Sequence, residues 1–319
     1  MMEYREIPGT GKMASRIVFG LAGKAFWYGK GDDELLDAVA AEGINFYDTA
    51  RVYGKSEHNF GRWLEKRGMR DKVVILSKCG HPNFLTWSSR VNEKDMKRDL
   101  SKSLEELRTS YIDIYLLHRD NVQKDVGAIV ETFNAMHAEG KIGAFGGSNW
   151  THERIDEANE YAYKHSLIPF TVSSPNFSLA EMVEDAMGGC LSIAGKEQEE
   201  ARTWYRDNQM PVIAYASLAQ GLLSGKILST EKNDIKKRLG NIAAKGFGSE
   251  DNFERLRRCE VLAEKLGCSV SQIALAWVLQ QEINTFAVVG ASNIERIREN
   301  IGALALELSP EDMEWLDLK

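Results

Sequence analysis

Little in this 319-residue chain points outward, and each shortage removes a class of protein. Cysteine is sparse: Cys79, Cys190, Cys259 and Cys268 contain no C-x-x-C pair, which argues against a disulfide scaffold and for incidental thiols in a reducing compartment. No apolar run approaches the ~20 residues needed to span a bilayer, and the first residues, MMEYREIPGTGKMASR, carry no apolar signal core. The cytoplasm is therefore the expected address, with no membrane partner. The net charge is −7 and no Lys/Arg block interrupts the mixed signs, which argues against a nucleic-acid partner. No Gly-x-Gly-x-x-Gly follows the first strand candidate, which removes the usual fingerprint of a doubly wound dinucleotide-binding sheet.

What the chain does have is alternation. After an N-terminal hairpin at about 2–14, eight apolar strand candidates follow, at 16–22, 44–50, 73–79, 112–118, 142–149, 170–177, 211–218 and 285–292. Apolar residues through most of their length suit strands buried on both faces. Helical patterns lie between them, with legible ends. Asn92 with Asp95 opens one, its stripe made by Met96, Leu100, Leu104 and Leu107; Ser269 with Gln272 forms a capping box; Ser309-Pro310 starts the last. Eight β–α alternations without a break in composition predict an α/β fold, a (β/α)8 TIM barrel with an N-terminal β-hairpin, occupying residues 1–319 as one domain. A doubly wound open sheet is the rival architecture. Two long connections, 178–196 and 227–252, stand out as candidate lids or binding loops.

In such a barrel the reactive groups sit where strands run out into loops. Strand two ends in FYDTARVYG, which offers Asp48 and then Tyr53; strand three ends at Lys78 and strand four at His118. These types suit carbonyl reduction. A hydride reaching a carbonyl carbon leaves an alkoxide that needs a proton, and a phenol can give one. The Lys78 ammonium is expected to ease that by stabilising the phenolate, Asp48 to balance the buried lysine, and His118, neutral or charged, to donate a hydrogen bond to the carbonyl oxygen. Taken singly each residue has an ordinary structural explanation; four at the ends of three adjacent strands is a far more specific signal.

The runs NFYDTARVYG, GGSNW (146–150), AYASLAQGLLSGK (214–226) and VGASNIERIREN (289–300), with Lys78 and His118, resemble the aldo-keto reductase family over nearly the whole chain. That resemblance implies a (β/α)8 barrel, NAD(P)(H), and a small carbonyl or alcohol substrate. It implies proton donation by Tyr53, activation by Lys78 with Asp48, and orientation by His118. On the cofactor side it implies Ser148 and Asn149 at the nicotinamide carboxamide and Tyr215 stacked on the ring. It further implies Ser217, Leu218 and Gly221 over the pyrophosphate, Ser292, Asn293 and Arg296 at the adenosine end and 2′-phosphate, and Glu299 and Asn300 near the adenine. The pattern departs from the family at Ser174, where many members have a glutamine on the carboxamide. It departs again at Gly290 and Ala291, where some members place a lysine and a hydroxyl on the 2′-phosphate. NADP(H) is the expected cofactor, resting on Arg296 and Ser292, with NAD(H) left open. Two other functions compete: a Schiff-base aldolase using Lys78, which a nearby Asp48 disfavours by keeping the amine charged, and a slowly turning nicotinamide-binding regulatory subunit. Phe26, Trp27, Tyr28, Trp87 and the 178–196 loop are expected to line an apolar mouth.

Overall fold

The computed structural model describes residues 1–83 and 85–319. Among these residues ten strands form: β1 (Tyr4–Glu6), β2 (Met13–Ser15), β3 (Ile17–Gly20), β4 (Phe46–Asp48), β5 (Val74–Cys79), β6 (Ile112–Leu117), β7 (Ile142–Ser148), β8 (Val172–Ser174), β9 (Val212–Ala214) and β10 (Thr285–Val289). β1 and β2 pair antiparallel as the expected hairpin. The other eight close in the order β10-β3-β4-β5-β6-β7-β8-β9, every pair parallel. The open-sheet alternative is thereby excluded.

Strand alternation divides the apolar residues into two cores. Val18, Phe46, Val74, Leu76, Ile114, Leu116, Ala144, Val172, Ile213 and Phe286 fill the barrel interior. Their sequence neighbours, such as Ile17, Tyr47, Ile75, Tyr115 and Phe145, face the helices in a larger core. Ile7 and Ala14 of the hairpin join the interior cluster. The hairpin also bonds the N-terminal ends of the strands, through Ser15 N–H to Asn45 Oδ1 (2.8 Å) and Lys12 Nζ to the Val73 carbonyl (2.7 Å). One end of the barrel is therefore plugged, and the inward alternation can reach open space only at the C-terminal end.

The helix starts follow local chemistry. Asn92 Oδ1 accepts from Asp95 N–H at 2.9 Å and buries Met96 and Leu100 beneath it. Ser269 and Gln272 exchange the two bonds of a capping box, and Ser309 caps the last helix with Pro310 at its first position. The strands are shorter than the apolar runs suggest, mostly at their C-terminal ends: 211–218 yields only Val212–Ala214. There the backbone leaves the sheet to form the site. The 227–252 excursion is not an open loop either; it carries helices Ile235–Leu239 and Asn241–Phe247. It is tied to the other long connection by Val183 N–H to the Gly246 carbonyl (2.8 Å) and Asn252 Nδ2 to the Glu181 carbonyl (2.7 Å). The four thiols are free. Among the described residues, no single helix is long and apolar enough to cross a membrane.

Candidate active site and cofactor cleft

The interior alternation continues past the last apolar layer, and there the side chains become chemical. Two residues beyond Phe46 comes Asp48, beyond Leu76 comes Lys78, and beyond Leu116 comes His118. The same step leads from Gly146 to Ser148, from Val172 to Ser174 and from Ile213 to Tyr215. Period two thus aims these side chains at the open end of the barrel.

Asp48, Lys78 and His118 are each no more than 5% exposed. Lys78 Nζ donates to Asp48 Oδ1 and, at 3.0 Å, to the Thr49 carbonyl. Burial opposes the charge on Lys78, but attraction to Asp48 prevails and holds its ammonium above the ordinary lysine range. Tyr53 leans over this pair, with Lys78 Nζ 5.4 Å from its ring centroid. Its ring stacks on Trp27 at 4.9 Å and meets the edge of His118 at 5.7 Å. Burial raises the Tyr53 phenol, and Lys78 only partly offsets that. Lys78 acts on the phenol in the expected direction, but burial outweighs it and Tyr53 is held as the protonated acid. His118 is held well below its ordinary range by burial first and then by the neighbouring Lys78 cation, so its imidazole is neutral. Its Nδ1 is buried without a hydrogen-bond partner among the described residues, an orphan group of the kind a ligand satisfies.

Beside the tetrad lies a second network. Asn149, on a left-handed backbone (φ 62°), donates from Nδ2 to Ser148 Oγ (3.0 Å) and to the His118 carbonyl (3.1 Å). Its Oδ1 accepts from the Tyr215 hydroxyl (2.7 Å) and Leu191 N–H (3.0 Å). Ser148 Oγ donates to the Ser174 carbonyl and Ser174 Oγ to the Ile213 carbonyl, both at 2.8 Å. The hydroxyls keep acceptor lone pairs for an amide donor, whereas Asn149 is satisfied on all sides within the protein.

From Tyr215 the chain turns sharply. Ala216, Ala219 and Gln220 all have positive φ without being glycine, strain that survives only where surroundings over-determine it. Gly221 (φ +99°) completes the turn, Leu218 is half-buried, and Ser217 is buried with its hydroxyl on the Ala214 carbonyl (2.8 Å). Arg296 spans the gap to this loop, donating from Nη1 to the Ser224 carbonyl at 2.7 Å. Helix Ile294–Gly302 opens with Asn293 Oδ1 capping Arg296 N–H at 3.0 Å, its first N–H groups beside the exposed Ser292. A Cβ at Gly290 would meet nothing within 4 Å, so packing of the protein itself does not require glycine there. Glu299 accepts a bond from Ser271 on the adjacent helix (2.7 Å), and Asn300 is buried. The turn after Tyr215 and the helix that Asn293 opens are thus joined through Arg296 and Ser224, while Glu299 is engaged by Ser271.

Of the aromatic mouth, Trp27 rests on Tyr53, Tyr28 is exposed, and Trp87 is exposed close to Gly188. Phe26 belongs elsewhere: it is 2% exposed and packs against Phe19 in the outer core. Sequence reasoning passed over Thr49, whose carbonyl holds Lys78. It also passed over Asn176, a buried amide that takes Ser192 Oγ (2.9 Å) and reaches the Tyr215 carbonyl (3.1 Å). A backbone carbonyl leaves no trace in a sequence. An asparagine two places past Ser174 continues the inward alternation and could have been found by it.

The model of the aldo/keto reductase family matches residues 29–319. Among curated proteins, norsolorinic acid reductase B of Dothistroma septosporum is 28% identical over 99% of this chain and 81% of its own length. L-glyceraldehyde 3-phosphate reductase of Escherichia coli O157:H7 is 27% identical over 99% and 92%, and aldo-keto reductase YhdN of Bacillus subtilis 28% over 91% and 85%. With a family match that runs nearly end to end over a closed eight-stranded parallel barrel, the chain belongs to the aldo/keto reductase family and is an oxidoreductase acting on carbonyl and alcohol groups.

Proposed function

We propose that the protein reduces an aldehyde or ketone with NADP(H), Tyr53 giving the proton, and the observation that carries this reading is the buried Asp48–Lys78 pair beneath the Tyr53 ring. Bound in the cleft, a nicotinamide supplies the hydride. The protein's own residues do the rest. His118, neutral, orients the carbonyl oxygen by hydrogen bonding; Tyr53, kept protonated by burial, releases its proton as negative charge develops on that oxygen. Lys78 stabilises the phenolate that remains, and Asp48 keeps the lysine charged. Ser148, Asn149 and Ser174 are the groups for the carboxamide, Tyr215 for the ring face, Ser217, Leu218 and Gly221 for the diphosphate, and Arg296 with Ser292 and Asn293 for the 2′-phosphate, Gly290 leaving room. Asn149 can join only by exchanging one of its internal bonds. The Schiff-base alternative lacks support: a lysine held charged is a poor nucleophile.

A panel of aldehydes and ketones, followed by loss of NADPH absorbance, tests the activity; no consumption with any carbonyl would overturn it. Arg296 tests the cofactor. Charge-assisted hydrogen bonds contribute roughly 1.5–3 kcal/mol, and this half-buried guanidinium falls at the lower end. Arg296→Ala is therefore expected to weaken NADPH about tenfold and leave NADH nearly unchanged in fluorescence titrations. Equal losses would make Arg296 structural.

The pH dependence follows from the same electrostatics. His118 is depressed well below the neutral range and Tyr53 is raised above its ordinary value, so neither changes charge between about pH 6 and 9. Reduction measured as kcat against pH at saturating cofactor should be flat there and fall only in alkali, as Tyr53 loses its proton. A limb near neutrality would assign the acid to another group.

A further inference from the structure

The residue after His118 is a cation without an ion pair among the described residues. Arg119 is half-buried, and its guanidinium reaches three neutral acceptors: the His118 carbonyl (2.9 Å), the Gly188 carbonyl (3.1 Å) and Cys190 Sγ (3.2 Å). Among the described residues no carboxylate oxygen lies within 4.0 Å of it. The adjacent Asp120 and Asp185 of the facing loop are both committed elsewhere. Asp120 pairs with Arg154 (3.3 Å), and Asp185 collects the N–H groups of Met187, Gly188 and Cys190 at 3.1, 3.0 and 2.8 Å.

That Asp185 turn does specific work. It presents the Gly188 carbonyl to Arg119, while Gly189 (φ +69°) lies on the arginine stem; a Cβ there would come within 3.1 Å of Arg119 Cδ. The side chain is thus clamped in one place by the loop from β8, on the lip next to the imidazole of His118. Behind burial and Lys78, Arg119 is the third influence holding that imidazole down, so its field reaches the reaction centre. A guanidinium has more N–H donors than these three contacts use. Taking a cation partly out of water against dipoles alone is unfavourable, and an incoming anion reverses that cost.

Building on the reductase reading, we propose that Arg119 is a subsite for an anionic oxygen group, carboxylate or phosphate ester, carried by the carbonyl substrate. The enzyme then prefers acidic carbonyl compounds to neutral ones of the same shape, with Trp27 and Trp87 flanking the entry as apolar walls.

Matched substrates test this. Wild-type protein is expected to show a KM for 4-carboxybenzaldehyde about tenfold below that for methyl 4-formylbenzoate. The pair glyceraldehyde 3-phosphate and glyceraldehyde reports whether phosphate is taken as well. Arg119→Met should erase the preference by raising KM for the acid while leaving KM for the ester within about twofold; Arg119→Lys should keep part of it. In parallel, 4-carboxybenzaldehyde and the ester are titrated into NADP+-loaded wild type and Arg119→Met by tryptophan fluorescence. Equal affinities in the two proteins, or equal losses for acid and ester, would overturn the subsite and leave Arg119 as a clamp for the loop. An Arg119-dependent preference in that titration, with neither aldehyde reduced, would count against the reductase reading and uphold the subsite.

Discussion

Replacing Tyr53 by phenylalanine is expected to lower carbonyl reduction by about 10²–10⁴-fold, the span attributed to a positioned general acid, while NADPH affinity stays nearly unchanged. The substitution is unusually clean here. The side-chain contacts of this residue belong to its ring: the Trp27 stack, the His118 edge and the Lys78 ammonium. Phenylalanine preserves each of them. The hydroxyl itself makes no hydrogen bond to any described residue, so its removal leaves no partner stranded, and only the proton is lost. Burial holds that proton on the oxygen in the resting protein, which suits donation to a developing alkoxide more than abstraction from an alcohol. Single-turnover rates and fluorescence titration of NADPH check the two halves separately. Turnover within about threefold of wild type would move the acid elsewhere; the neutral His118 would be the next candidate, since it can still donate an N–H.

How much of this could be read beforehand depended on periodicity. The catalytic candidates were legible because an inward-facing strand residue keeps its parity beyond the core: Phe46 leads to Asp48, Leu76 to Lys78, Leu116 to His118. Helix starts were legible for an equally local reason, since Asn92, Ser269 and Ser309 each bond an N–H a few residues away. Strand ends were not, because apolar runs such as 211–218 continue after the backbone has left the sheet to seat Tyr215 and Ser217. Phe26 misled for a related reason: an aromatic in a βα loop can turn inward, and this one meets Phe19. The protonation state of Tyr53 is a balance between burial and its charged neighbours, Lys78 foremost, and only the folded structure reveals which prevails. Arg119 was invisible in a different way. Its significance is a missing carboxylate, and absence of a partner is a property of the folded surface alone.

The Asp48–Lys78 pair sets the second large expectation, in which activity and stability fall together and can be separated. Lys78→Met removes the cation beneath the Tyr53 ring, so reduction should drop by a factor comparable to that of the phenylalanine variant. It also strands Asp48, 5% exposed, without its counter-ion. Breaking one side of a buried pair typically costs about 3–5 kcal/mol, whereas replacing both members is often near neutral. Urea unfolding should therefore show Lys78→Met far less stable than wild type, and Asp48→Asn with Lys78→Met together recovering most of the loss without recovering turnover. The pH dependence supplies an independent check. Burial raises the Asp48 carboxyl in the folded state, and without Lys78 nothing opposes that rise. A carboxyl with a higher folded than unfolded pKa binds more protons when folded, so the single variant gains stability as pH falls and loses it as pH rises. The gap between single and double variants should accordingly close on acidification, with the denaturant slope unchanged throughout. A single variant as stable as the double one at neutral pH would mean that Asp48 carries no charge needing compensation, and the account of Lys78 as a cation locked beneath the phenol would fall with it.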